Sequence, residues 1–384
     1  MDFAQTPDQL ALRGQVIDFA RAQLRDDVVS RDHNGSFAHE LWARCAAFGI
    51  QGLPFPAQYG GGGRDILSTV VAMEALGYAC ADNGLVFALG AQLWSVQMPI
   101  ARFGSDEQKG RYLSRLCRGE NIGAHAMSER DAGSDAYSIR TSAQRVDGGY
   151  RLDGAKTFVS QAAVADVFLV FARVGEGDGP LGITAFLVER GTPGFTVGQT
   201  IEKMGLRTSP MASLTFDNCV LPEFNRLGRE ERGAQIFRDS IEWERSCILA
   251  GAVGAMERLL EGSLRYARER EQFGRPIASF ASVTNRLVDM KVGLEQARLA
   301  LYRAAWAKEH DVDAATASSM AKLFVSEAYQ RAALNAMEIR AGYGYAVEHE
   351  IERDVRDALG STFYSGTSDI QRVVIARGMG LRAS

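Results

Sequence analysis

Val167-Phe-Leu-Val-Phe-Ala172 and Ile183-Thr-Ala-Phe-Leu-Val188 are short runs rich in β-branched and aromatic residues, with Gly177-Asp-Gly179-Pro-Leu-Gly182 between them. The glycines match GxGxxG, which in a dinucleotide-binding fold leads from a strand into a helix whose N-terminus receives a pyrophosphate. Here the motif runs from strand to strand and contains a proline, so it predicts a hairpin turn and not a doubly wound sheet. Tyr150–Leu152, Phe195–Gln199 and Ala212–Phe216 read as further strands, divided by Asp147-Gly148-Gly149 and Gly191–Gly194. Short strands at this spacing predict a small antiparallel barrel or sandwich over residues 124–228.

On either side the apolar pattern changes to a helical period. Asp8 to Leu24 places Leu10, Leu12, Val16, Ile17, Ala20 and Leu24 at helical spacing, with Thr6-Pro7 as an N-cap and first-turn proline. His39–Phe48, Asp65–Leu76 and Asp106–Cys117 are further helix candidates, and the glycine-rich stretch Pro54–Gly63 breaks the pattern. After Gly233 come Ile236–Arg270, Val283–His310, Ala314–Arg340 and Ile370–Met379, amphipathic runs of helix-bundle length. The expected fold class is α+β multidomain: an N-terminal helical domain (1–123), a middle antiparallel β-barrel (124–228) and a C-terminal four-helix bundle (229–384).

The 384 residues are 46% apolar and 23% charged, as in ordinary globular protein, which sets aside disordered, collagenous and coiled-coil classes. No stretch reads as 18 or so uncharged apolar residues, and no basic-then-apolar leader precedes Pro7, so neither a membrane span nor export is expected and the chain is assigned to the cytoplasm. The formal charge is -4 with signs mixed throughout, which argues against nucleic-acid binding. Six lysines stand against 37 arginines. The five cysteines form no CxxC and the five histidines no HExxH, so packing roles and no metal site are expected.

Three polar clusters interrupt apolar surroundings. Met127-Ser-Glu-Arg-Asp-Ala-Gly-Ser-Asp135 lies at the junction of the helical and strand-rich parts, and its small and hydroxyl residues allow close backbone approach to a ligand. A plain capped turn is the alternative. In Ile241-Glu-Trp-Glu-Arg245, Glu242 and Glu244 point to opposite sides of a helix, and Glu244 shares its face with Ile248, Gly251 and Ala255. A carboxylate on such a face is desolvated, which raises its pKa and suits it to act as a base; a structural pair with a neighbouring helix's arginine is the other reading. In Tyr364-Ser-Gly-Thr-Ser-Asp-Ile-Gln-Arg372, Gly366 to Ser368 reads as a turn capping a last helix.

With Pro56-Ala-Gln-Tyr-Gly-Gly61, Lys203-Met-Gly-Leu-Arg207, Phe216-Asp-Asn-Cys-Val-Leu-Pro222 and Arg270-Glu-Gln-Phe-Gly-Arg-Pro276, these clusters resemble, in order, the signatures of the acyl-CoA dehydrogenase family of flavoproteins. The resemblance implies FAD between barrel and bundle in a homodimer or homotetramer. It places Met127 and Ser128 at the isoalloxazine edge, Ser134 at the pyrophosphate or the acyl-carrier region, Phe158 behind the flavin, and Ser160 at N5. Arg270 and Phe273 would meet a neighbouring subunit's FAD, Gly342 the pyrophosphate and Thr367 the adenosine half, with Asp369 a further cofactor-binding residue. Glu338 stands where the family usually has a cofactor-binding glutamine, and Ala281 where a glutamine is common.

The family's usual catalytic glutamate directly precedes Gly-Thr-Ser, a position held here by Ser365. Glu244-Arg245 followed by Ala250-Gly251 matches instead the register of the isovaleryl branch, so the resemblance makes Glu244 the base. Together with Ser365–Asp369, it is closest in pattern to carrier-protein-linked acyl and prolyl dehydrogenases of natural-product biosynthesis. The implied reaction is α,β-dehydrogenation of a thioester on an acyl or peptidyl carrier protein, or on CoA, with an electron-accepting flavoprotein or oxygen downstream. Trp243, Arg245, Tyr364, Ser365 and Gly366, with Ser134, are the expected substrate residues. A branched-chain acyl-CoA dehydrogenase, a flavin oxidase of the same fold, and a non-catalytic scaffold are the alternatives.

Overall fold

A computed structural model describes residues 4–25, 27–175 and 179–382. The chain opens with the helix Pro7–Gln23, capped by Thr6 with Pro7 in its first turn as the sequence predicts, and Thr6 and Gln9 form a reciprocal capping box. His39–Phe48 and Ile66–Ala79 follow, the latter capped by Asp65 accepting from the Ser68 N–H. Between them the glycine-rich segment folds back on residues 52–55: a Cβ at Gly61 would stand 2.0 Å from the Phe55 carbonyl oxygen, so only glycine fits.

A continuous helical stretch over residues 83–103, missed in the sequence, is long and apolar enough to cross a membrane by length and composition. Most of it is buried, which makes it a core helix. Its interior widens into a π-helical segment at Gln92–Gln97, a departure that concentrates at functional sites. Asp106–Cys117 contains a second such segment at Lys109–Leu113.

The middle region forms one sheet from β1 (Gly123–Ala126), β2 (Ser142–Val146), β3 (Gly149–Ser160), β4 (Val167–Val174), β5 (Ile183–Glu189), β6 (Phe195–Ile201), β7 (Met211–Pro222) and β8 (Arg226–Leu227). The order is β6-β7-β3-β2-β4-β5-β8, with β1 also on β4. β4 and β5 pair antiparallel and are buried almost throughout, as the hairpin reading predicts. Gly177, part of the GxGxxG match, lies outside the described residues.

Two expectations are corrected. The sheet is not closed into a barrel: β6 and β8 are its ends, and β8 is only two residues long. Nor is it purely antiparallel, because β1 and β2 share one edge of β4 and both run parallel to it.

The C-terminal region packs Gly233–Cys247, Ala250–Glu269, Ala281–Glu309 and Ala314–Arg340 against one another. The predicted run Ile236–Arg270 is two helices, parted at Ile248-Leu249. Ile351–Gly360, also missed, and Ser368–Gly378 lie against Ala314–Arg340. Ala250–Glu269 crosses Ile66–Ala79 so closely that a Cβ at Gly254 would meet the Glu74 carbonyl oxygen at 1.9 Å. That contact fixes the helix that follows the one bearing Glu244 against the N-terminal region. All five cysteines are buried.

Candidate active site

Glu244 lies near the end of the Gly233–Cys247 helix. Its Oε1 accepts the Ser365 hydroxyl at 2.5 Å and its Oε2 the Ser95 hydroxyl at 2.5 Å. Burial pushes its carboxyl above the ordinary glutamate range, opposed by these two hydroxyls and by the charges of Arg245 and Lys322. No ion pair to Glu244 is formed among the described residues, so the structural-pair reading does not describe it. Glu242 does make one: its carboxylate accepts from Lys308 Nζ at 2.9 Å on the opposite side of the helix.

The Ser365-Gly366 turn completes the centre. Ser365 has φ 59° and Gly366 φ 89°, a left-handed pair that a non-glycine residue enters only where its surroundings hold it there. Arg245 Nε donates to the Ser365 carbonyl at 2.9 Å. Gln371 donates to both the Ser365 and Gly366 carbonyls, at 3.2 and 2.9 Å. With its carbonyl held from behind, Ser365 keeps an N–H that has no acceptor among the described residues.

A cavity of about 30 Å³ is lined by Tyr364, the residue before Ser365, by Ile248, one turn after Glu244, and by Phe87, Gly251 and Asp357 among others. The Phe87 and Tyr364 rings meet across it with centroids 4.8 Å apart. Trp243 is not in this lining. One position before Glu244 turns it about 100° around the helix, into the core against Trp94 at 6.2 Å, with Lys308 Nζ 5.4 Å from its ring centre. Trp243, expected among the substrate residues, thus lies with its ring in the core.

The sheet contributes a second group. The β3–β7 register shifts between Lys156 and Val159, and within that bulge Phe158 sits at φ 54° with 62% of its surface exposed. A strained, solvent-facing aromatic is costly unless something stacks on it. Ser160 follows two residues on. Lys156, fully buried, donates to the Met127 carbonyl at 3.0 Å and to Glu129 at 2.8 Å. Ser128 accepts from the Thr157 N–H at 2.9 Å. Thus β3 carries the Met127–Asp135 loop, while Ser134 stands exposed on its outer part.

Thr367 and Asp369 line an open cleft of 470 Å³ with Glu327 and Arg331. Arg270, Phe273, Glu338 and Gly342 are brought together elsewhere, around the ends of two bundle helices. Arg270 lies over the Tyr343 ring at 5.6 Å, Arg286 donates to Glu338 at 2.7 Å, and Phe273 is 93% exposed at a hairpin tip. None of these four touches the Glu244 centre.

Sequence reasoning missed Ser95, which only the π-helical segment carries to Glu244. It also gave Gln371 no role, although that residue stood inside the motif with Ser365.

The chain matches three family models: acyl-CoA dehydrogenase, N-terminal domain, over residues 6–120; the middle domain over 124–219; and the C-terminal domain over 231–380. It is 41% identical over 384 residues to an L-prolyl-[peptidyl-carrier protein] dehydrogenase of Serratia sp., covering 100% of both chains. Among solved structures, the prolyl acyl carrier protein oxidase AnaB superposes with a TM-score of 0.97 at 47% identity, over 98% of this chain and 100% of that one. PigA with FAD and proline superposes with a TM-score of 0.97 at 40% identity, over 100% of each. The chain belongs to the acyl-CoA dehydrogenase family.

Proposed function

We propose that this protein is a flavin-dependent dehydrogenase that desaturates the α,β bond of a small aminoacyl group, L-prolyl first, held as a thioester on a carrier protein. The observation that carries the reaction type is Glu244, a desolvated carboxylate bonded by the hydroxyl of Ser365, whose own backbone N–H has no acceptor among the described residues. Similarity to the Serratia dehydrogenase and to AnaB supports the tethered prolyl substrate. The Phe87–Tyr364 contact, which closes the cavity beside Glu244, supports a small acyl group.

The residues present fit FAD. Phe158 offers an exposed ring in strained backbone, Ser160 a hydroxyl donor beside it, and Met127 and Ser128 a loop edge held by buried Lys156. Thr367 and Asp369 line a cleft of 470 Å³. Ser134, exposed on the outer loop, is assigned to the pyrophosphate or the carrier arm. Arg270, Phe273, Glu338 and Gly342, remote from this set, are assigned to the cofactor of a second subunit in a homodimer or homotetramer. When bound, FAD accepts the hydride leaving the β carbon.

Glu244 takes the α-proton. Each of its oxygens keeps a lone pair beyond its hydroxyl bond, so the proton arrives without either bond breaking. The Ser365 N–H, aimed by the Arg245 and Gln371 bonds to the carbonyl behind it, polarises the thioester oxygen as negative charge develops. Ser365 thus lends its hydroxyl to the base and its amide to the substrate.

Anaerobic mixing of the FAD-loaded protein with L-prolyl carrier protein, and separately with isovaleryl-CoA, tests this reading. Bleaching of the flavin by the carrier-bound prolyl group supports it. Bleaching by isovaleryl-CoA alone moves the chain to branched-chain catabolism, and bleaching by neither overturns the dehydrogenase assignment.

A further inference from the structure

Lys322 is fully buried in the Ala314–Arg340 helix, and its ammonium meets one acceptor among the described residues, the Thr362 carbonyl at 3.2 Å. An ammonium has three donors and a large desolvation cost, so burying one with a single neutral partner requires a nearby negative charge. Thr362 sits at the neck of the loop that delivers Ser365, and its carbonyl also receives the Ser368 N–H at 3.2 Å, which closes the loop. Lys322 therefore grips the loop at the one carbonyl where its two arms meet.

The charged groups acting on the ammonium are Arg245 and Glu244, from the helix packed against its own, and Glu327 from its own helix. Resting on the reading that Glu244 is the base, we propose that Lys322 is a positioning residue: it anchors through Thr362 the 362–368 loop whose Ser365 hydroxyl bonds Glu244, and it sets a positive charge on the helix packed against the one that carries Glu244. Burial alone drives Glu244 towards the neutral acid, which could not accept a proton. Arg245 spends its Nε on the Ser365 carbonyl, so Lys322 supplies a second cation on the side of the loop neck. The same burial lowers the Lys322 ammonium to about 8, so its charge remains largely in place at neutral pH.

Lys322→Met removes charge and tether; Lys322→Gln removes the charge but keeps a donor for Thr362; Lys322→Arg keeps the charge. Infrared difference titration of each against its own Glu244→Gln partner reads the Glu244 carboxyl directly and needs no substrate, so it stands or falls apart from the substrate assignment. The expected result is a rise in the Glu244 midpoint of up to roughly half a pH unit, about a threefold change in proton affinity, in both Met and Gln variants. Lys322→Arg should stay near wild type. In the FAD-loaded enzyme the acid limb of flavin reduction should move by the same amount, with the plateau at high pH largely retained. If Lys322→Met fails to fold, Lys322→Gln carries the test. An unchanged Glu244 midpoint in the folded variants, or a rate lowered equally at every pH, would overturn the proposal and leave Lys322 as a structural tether.

Discussion

The Ser365 hydroxyl donates to Glu244 Oε1 at 2.5 Å while the Ser365 backbone holds φ 59°. One residue thereby ties the turn at residues 364–367 to the carboxylate 121 positions earlier in the chain. Hydroxyl and amide of the same residue act on base and substrate respectively, so substitution can separate them.

Ser365→Ala removes the hydroxyl and keeps the amide. Since that hydroxyl lowers the Glu244 pKa, its loss moves the acid limb of flavin reduction to higher pH by roughly half to one unit. On the acid limb, below both midpoints, reduction slows about three- to tenfold, while the rate at high pH falls less. Stopped-flow reduction from pH 5 to 9 checks both.

Wild-type enzyme should lose activity with falling pH well before an ordinary glutamate would protonate. Burial raises the Glu244 pKa, and only the ionised form accepts a proton, so the half-maximal rate lies above the usual glutamate value of about 4.3. A limb at or below that value would mean that Glu244 is not desolvated in the working enzyme.

Phe87→Ala removes one of the two rings that close the cavity beside Glu244. Longer acyl thioesters should then reduce the flavin at least about tenfold better relative to the prolyl substrate, since each methylene accommodated is worth roughly 1 kcal/mol. An unaltered chain-length preference would place the acyl group elsewhere.

The His125 ring is half-buried between Phe171 and Phe237, and desolvation, aided by Lys156, lowers its pKa to about 4. Between about 6.5 and 4 the unfolded chain binds a proton that the folded protein does not, so stability falls as pH drops through that window. His125→Phe should reduce this acid-side loss by on the order of 2–3 kcal/mol, read from urea unfolding at pH 7 and 4.5.

Gly254→Ala places a Cβ 1.9 Å from the Glu74 carbonyl oxygen, forcing two helices apart. A destabilisation of about 2–4 kcal/mol is expected in thermal or urea unfolding. Gly262→Ala on the same helix meets only the flexible end of Arg340 at 3.2 Å, and it should be neutral or gain up to about 1 kcal/mol of helix propensity.

The helix–sheet–helix order was legible because period changes at β1 and again after β8 are strong local signals. Closure of the sheet was not, since it depends on whether β6 and β8 meet, and no residue within either strand encodes that. Glu244 stood out by its apolar helix face, and the family resemblance added its register with Arg245. The side that Trp243 faces was not legible, because one helical position decides between pocket and core and the sequence leaves the helix rotation free. Ser95 and Lys322 lie in otherwise ordinary helical pattern; only the π-helical widening and the packing of Ala314–Arg340 bring them to Glu244.

Glu244→Gln keeps the shape of the carboxylate and removes its basicity, so flavin reduction in the FAD-loaded variant is the most direct test. The variant should stay yellow and folded, and its reduction by L-prolyl carrier protein should fall by about 10²–10⁴-fold, the span of a lost general base. Normal FAD binding with an undiminished rate of reduction would contradict the role of Glu244.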